Sequence, residues 1–253
     1  MNATNPACSS AMRRISDRHE WNWLVALLLG GLLGIALASG QALAATYSSM
    51  ATASNWIDPA AHTRVTWTSG ASCSSSYAGA PVDDDITAQL PLGFTFNFGG
   101  VNYTQVQIMS NGRLQFNNGF CGYGTQTTGP PPTYPYAYPS ANVVRTMRVY
   151  GVDLDATPSG AAGVCPTSSC YVSYATIGTA PNRRFVVTWV NVPEWGATTR
   201  TGSFNLQVIL EETTNEFVYQ FGASNHPTGG SAQIGWELSA TDYEAASRPE
   251  DGA

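Results

Sequence analysis

The sequence predicts an all-β protein: an antiparallel two-sheet β-sandwich of about ten strands, behind a cleaved N-terminal signal helix. Three observations carry this. Apolar residues alternate with polar ones at a period of two along most of the chain, and no stretch holds a helical period. Charged residues make up only 11% of the 253 residues, against a usual value of about 25%, with Gly and Pro abundant in their place. Helical bundles and coiled coils need far more Glu, Lys, Arg and Leu than this. The third observation is that an even set of cysteines follows an export signal.

The first 44 residues read as that signal. Arg13, Arg14 and Arg18 precede an apolar run from Leu24 to Ala38, shorter than the roughly 20 residues of a membrane span. Ala42-Leu43-Ala44 offers small residues for cleavage after Ala44. Met12 is an alternative start, and an uncleaved anchor is the rival reading. After cleavage no second run is long enough to cross a bilayer. The destination is therefore periplasm, outer-membrane surface or medium. Loss of Cys8 with the leader leaves Cys73, Cys121, Cys165 and Cys170. Two disulfides are expected in an oxidising compartment. Cys165 and Cys170 are close enough to pair across a turn, which leaves Cys73 with Cys121; three pairings remain formally open. Zinc is the competing use, but no C-x-x-C is present and neither His62 nor His226 lies near a cysteine.

The strands follow in order. Val65 and Trp67 alternate with Arg64, Thr66 and Thr68. Phe94, Phe96 and Phe98 form the next alternation, Gly99-Gly100 turns the chain, and Val106 with Ile108 returns. Ser110-Asn111-Gly112 makes a hairpin signal before Leu114 and Phe116, so residues 93–116 predict a three-stranded meander. Met147–Leu154 and Tyr171–Ala175 are further strands. Phe185–Val192 is apolar on both faces, as in a strand central to its sheet. Phe204–Leu210, Phe217–Phe221 and the pair Ile234 and Trp236 complete the set. One domain spans 45–240, and 241–253 reads as an irregular tail. Trp56, Trp67, Trp189, Trp195 and Trp236 are assigned to core or rim.

Residues 117–142 break the pattern. Pro130-Pro131-Pro132 and Tyr134-Pro135-Tyr136-Ala137-Tyr138-Pro139 cannot sit in a central strand, because proline donates no ladder hydrogen bond. The segment predicts an extended, polyproline-like surface loop. Phe120, Tyr123, Tyr134, Tyr136 and Tyr138 are its ligand-contact candidates, since aromatic faces stack on sugars or partner chains. The alternative is a loop that folds back over the sandwich edge.

Leu90-Pro91-Leu92-Gly93-Phe94-Thr95-Phe96-Asn97-Phe98-Gly99-Gly100, Tyr103-Thr104-Gln105-Val106 and Ser110-Asn111-Gly112-Arg113-Leu114-Gln115-Phe116 form a recognisable series. Tyr150-Gly151-Val152-Asp153-Leu154-Asp155, Ala180–Trp189 and Phe204–Leu210 extend it over roughly 60–240. The series resembles nidogen-like extracellular β-sandwich domains, as in the N-terminal region of bacterial mannose-sensitive haemagglutinin (MSHA) type pilus and agglutinin biogenesis proteins. The resemblance implies a surface protein for adhesion or for assembly of a structure such as a type IV pilus. Its partner would be a surface glycan, another protein or pilus components. The Pro/Tyr segment is an insertion relative to that pattern.

Other functions are weighed against this one. The net charge of -6 and absence of lysine argue against nucleic-acid binding, which needs a basic face. His62 and His226 sit in neither a G-x-S-x-G nor an H-E-x-x-H context, so a noncatalytic role is expected. A secreted carbohydrate-binding module or glycan-active enzyme is the alternative, and a structural spacer in a larger surface protein is another. Asp153 and Asp155 lie two apart on a strand and face one side, about 7 Å apart along the backbone. They are the candidate calcium ligands, with Asp83-Asp84-Asp85 as added oxygens; a solvated strand end and an exposed turn are the plain readings. Calcium is the one cofactor the residues suggest.

Overall fold

The computed structural model describes residues 10–15, 47–74, 82–122, 141–151, 153–157, 165, 169–193, 203–222 and 233–246. These form thirteen strands in two antiparallel sheets, with one 3-10 turn at Pro59–Ala61. The strands are β1 (Ser10–Ile15), β2 (Ser48–Ala53), β3 (Thr63–Arg64), β4 (Leu90–Phe98), β5 (Val101–Met109), β6 (Arg113–Gln115) and β7 (Thr146–Gly151). They continue with β8 (Tyr171–Ile177), β9 (Arg184–Pro193), β10 (Ser203–Glu211), β11 (Phe217–Phe221), β12 (Gln233–Ser239) and β13 (Asp242–Ala246). One sheet runs β2-β1-β11-β10-β9-β8-β3 and the other β13-β12-β7-β6-β5-β4. Among the described residues no helix is long and apolar enough to cross a membrane.

The meander exists as β4, β5 and β6, and its burial alternates as the sequence does. Leu92, Phe94, Phe96 and Phe98 are buried between the sheets while Pro91, Gly93 and Thr95 are exposed. Pro91 is tolerated because β4 is the last strand of its sheet. Gly112, in the turn between β5 and β6, has φ +68, and a Cβ there would lie 2.6 Å from the Tyr150 carbonyl oxygen. Only glycine fits. Strand β9 lies between β8 and β10, as its two apolar faces require. Its Trp189 is fully buried and donates its indole N–H to the Ser110 carbonyl at 3.0 Å. That bond ties the centre of one sheet to the β5–β6 turn of the other. Trp236 is buried in the core, while Trp56 and Trp67 are half-buried; Trp195 lies outside the described residues.

A chain segment also crosses the outer face of the first sheet. The Gln220 amide takes the backbone N–H and C=O of Asn55, and the Gln207 amide takes those of Ile57. The two glutamines bond to each other at 3.0 Å, and Gln207 donates to Thr188. Each buried amide thereby fills its hydrogen-bonding capacity, so the polar row is compatible with burial.

Three features depart from the sequence reading. Asp242–Ala246 is a strand rather than part of an irregular tail. It pairs with β12 across a tight turn, and an edge strand needs no apolar period. Strand β2 is almost wholly exposed and has no period for the same reason. Ser10–Ile15, inside the expected leader, lies as β1 between β2 and β11. The apolar run 24–38 is outside the described residues. Both expected disulfides are present: Cys73–Cys121 with Cα atoms 5.5 Å apart and Cys165–Cys170 at 5.0 Å.

Candidate functional site

Two neighbouring features flank β6, one where the chain leaves it for the 117–142 loop and one at the β5–β6 turn. The first is the stem of the 117–142 loop. Its legs are laced together by side chains. Asn118 Nδ2 donates to the carbonyls of Asn142 and Val144 at 3.0 and 2.8 Å. The Arg145 guanidinium donates back to the carbonyls of Phe116 and Asn117 at 3.2 and 2.9 Å. Asn117 and Arg145 are both left-handed, with φ 51 and 55. Such turns in non-glycine residues persist when surrounding bonds fix them. From below, buried Arg113 donates to the Gly122 carbonyl at 3.0 Å, and buried Gln115 donates to that of Phe120 at 3.1 Å. Phe120 is half-buried within the stem. Tyr123, Tyr134, Tyr136 and Tyr138 lie outside the described residues.

The second feature is an acidic corner. Val82 and Asp84 have φ 81 and 48, which folds the chain sharply and turns consecutive carboxylates to different tasks. Asp85 is structural. Its carboxylate accepts the N–H groups of Ser69, Gly70 and Ile86 at 2.6, 3.1 and 2.8 Å, and so pins the 68–70 turn. Asp83 and Asp84 instead meet Asp153: one oxygen from each lies within 4.8 Å of the others. Asn111 organises them. Its Nδ2 donates to Asp84 at 2.7 Å and reaches Asp153 at 3.5 Å, while its Oδ1 accepts the Leu154 N–H at 3.1 Å. Asp155 takes a different position. It forms a backbone bridge with Asp83, and its carboxylate accepts the Thr157 N–H at 2.8 Å. Asp153 thus groups with Asp83 and Asp84, and the Asp155 charge acts on both of the latter from beside them.

Asn111 was legible only as a turn residue. Its role depends on the burial of the whole turn, which periodicity does not report. The two features are also mechanically one. Cys73–Cys121 joins the turn held by Asp85 to the loop stem, Ser74 N–H bonds the Gly119 carbonyl at 2.7 Å, and both cysteines pack with Ile86 and Met109.

The corner concentrates negative charge. Burial, then the charges of Asp84 and Asp155, push Asp83 up to about 7. Burial raises Asp84 to about 6, against the Asn111 hydrogen bond and the Arg113 charge, which lower it. Both lie above the usual carboxylate value of about 4. An acid raised on folding binds more protons folded than unfolded across that interval. Folding stability therefore falls as pH rises from about 4 to about 7. Urea titrations at several pH values in chelator should show this decline, and Asp83→Asn should flatten it. An unchanged slope in that variant would place the proton uptake elsewhere. Three carboxylates with oxygens converging in one corner also suit a hard cation such as calcium.

The family described as NIDO related matches residues 46–251. Nidogen of Drosophila melanogaster is 28% identical over 166 residues, which cover 61% of this chain and 12% of that protein. The chain thus spans about an eighth of the length of that curated relative. No solved structure matches.

Proposed function

The chain belongs to the NIDO-related family, and we propose that it is an exported, noncatalytic surface domain that binds a partner through the 117–142 loop. The partner is a surface glycan or protein, in adhesion or in assembly of a pilus of the MSHA type. The observation that carries this reading is the laced stem. Hydrogen bonds from Asn118 and Arg145 close its two legs, and a disulfide anchors one of them. A contact segment that leaves a fixed base loses less conformational entropy on binding than a free one. Its prolines restrict it further, and its tyrosines supply large, rigid contact faces.

Calcium has a supporting place in the proposal. Bound by Asp83, Asp84 and Asp153, it would neutralise the corner that shares the Cys73–Cys121 staple with the stem. It would raise the melting temperature at neutral pH, and chelator would remove that gain.

Deletion of Pro130–Pro139 is the direct test. The variant should keep its circular dichroism and both disulfides, and lose binding on a glycan array and to whole cells. Undiminished binding would move the contact surface elsewhere. A wild-type protein that binds nothing in either assay would favour a spacer.

A further inference from the structure

Strand β1 lies between β2 and β11, yet it belongs to the segment that cleavage after Ala44 would remove. All six of its residues pair with β2, and Ala11, Met12 and Arg13 pair with Gln220, Tyr219 and Val218 of β11. Neighbouring strands lie about 4.8 Å apart. Loss of the middle one therefore leaves β2 and β11 roughly 10 Å apart, with backbone edges facing each other. Both walls keep anchors that do not involve β1. Strand β11 stays paired with β10. On the other side, Tyr47 enters β2 from the core, where its ring lies 5.9 Å from that of Phe217 and its hydroxyl accepts the Gly99 N–H. At the far end of β2, the Ser54 hydroxyl and Asn55 N–H donate to Gln220 Oε1 at 3.0 and 2.6 Å.

We propose that in the mature chain this slot accepts an extended, basic segment of a partner protein, which pairs antiparallel with both β11 and β2. The proposal rests on the export reading, since only leader removal vacates the slot. Direct closure of β2 onto β11 is the poorer solution. Each is antiparallel to β1, so the two run parallel to each other, and a parallel pair is the less stable per residue. An entering antiparallel strand restores two ladders at once, the backbone mode of strand addition. The register of β1 specifies what enters. Its Met12 stands opposite Tyr219, a core residue, so an apolar residue is needed there. Its Arg14 stands opposite Ser49, whose hydroxyl donates to Glu244, and Glu216 immediately precedes β11. Basic residues beside the apolar one suit that acidic surrounding.

The test uses the product exported by cells that express the whole gene, with its N-terminus read by intact mass. The probe is the acetylated, amidated peptide Ser-Ala-Met-Arg-Arg-Ile, the sequence of β1. Hydrogen exchange followed by nuclear magnetic resonance should find the β2 amides and the edge amides of β11 poorly protected in the free protein. Peptide at ten times its Kd should slow their exchange about tenfold, while β9 stays unchanged. A peptide with Met12→Pro should not bind, because proline removes a ladder donor. A peptide with Arg13→Gln and Arg14→Gln should bind about fivefold more weakly and lose its salt dependence. Unchanged affinity of that peptide would overturn the basic character of the partner. Edge amides of β11 protected before peptide is added would mean that β2 or a second copy fills the slot, and would overturn the proposal. Equal binding of the proline peptide would do the same. A product with its leader intact would overturn this proposal and the export reading together. An N-terminus at Ala45 with no slowing at millimolar peptide would overturn the slot alone.

Discussion

The paired change Cys73→Ser and Cys121→Ser should lower unfolding free energy by about 4 kcal/mol, as expected from the loop-entropy relation for a bridge that closes this length of chain. The two cysteines are 48 residues apart in sequence, so their bond removes many unfolded conformations. Typical total stability is about 5–15 kcal/mol, and a loss of this size brings the fold near its limit. The Cys165–Cys170 bridge, with a separation of 5, should cost only about 2 kcal/mol when removed. Denaturant midpoints of the two double variants give the comparison. Function should separate them further. Cys73–Cys121 joins the 68–74 turn to the loop stem, so its loss should weaken partner binding even under conditions where the protein remains folded. Loss of the other bridge should leave binding intact. Equal destabilisation by the two pairs would refute the loop-length argument. Equal binding would detach the staple from the contact surface.

The interior was legible because burial leaves a periodic trace. Phe94, Phe96 and Phe98 alternate in sequence and are buried in turn, and the apolar faces of β9 predicted its central place. Edges leave no such trace. Strand β2 is held by its backbone ladder to β1, and β13 by its ladder to β12, so their side chains are free to be polar. The disulfide pairing was legible from spacing, because residues as close as Cys165 and Cys170 can close a turn locally. The candidate site was only partly legible. Asp153 and Asp155 were visible as a pair, but a strand register cannot tell that Asp83 and Asp84 arrive from another segment. That convergence depends on left-handed backbone at Val82 and Asp84 and on a buried Asn111 amide. The outer face of the second sheet was hidden in the same way. Gln107, Arg113, Gln115, Arg148 and Glu237 alternate with core residues, yet all are buried.

Glu237→Gln should destabilise the fold by about 3–5 kcal/mol, the cost of removing one partner from a buried ion pair. Glu237 accepts from Arg148 Nη2 at 2.9 Å, and the two side chains are 0% and 1% exposed. Arg148 lies opposite Arg113 across the β6–β7 ladder, so two guanidinium charges share one covered face. Like charges in that relation repel, and Glu237 supplies the compensating charge on the Arg148 side. Glutamine keeps the shape and an acceptor but removes that charge. The cost should then appear as an electrostatic one, and a second substitution can separate it from packing. Arg148→Met with Glu237→Leu removes both charges together. Apolar replacements of a buried pair are often neutral or stabilising, so this double variant should recover most of the stability lost in Glu237→Gln. Urea midpoints of the three proteins decide the matter. A double variant as unstable as the single one would mean that the outer face needs the hydrogen-bond geometry of the pair rather than its charge balance. Recovery would also carry a consequence for the loop. Arg113 would keep its bonds to the Gln115 side chain and the Gly122 carbonyl without an opposing guanidinium, and partner binding should survive.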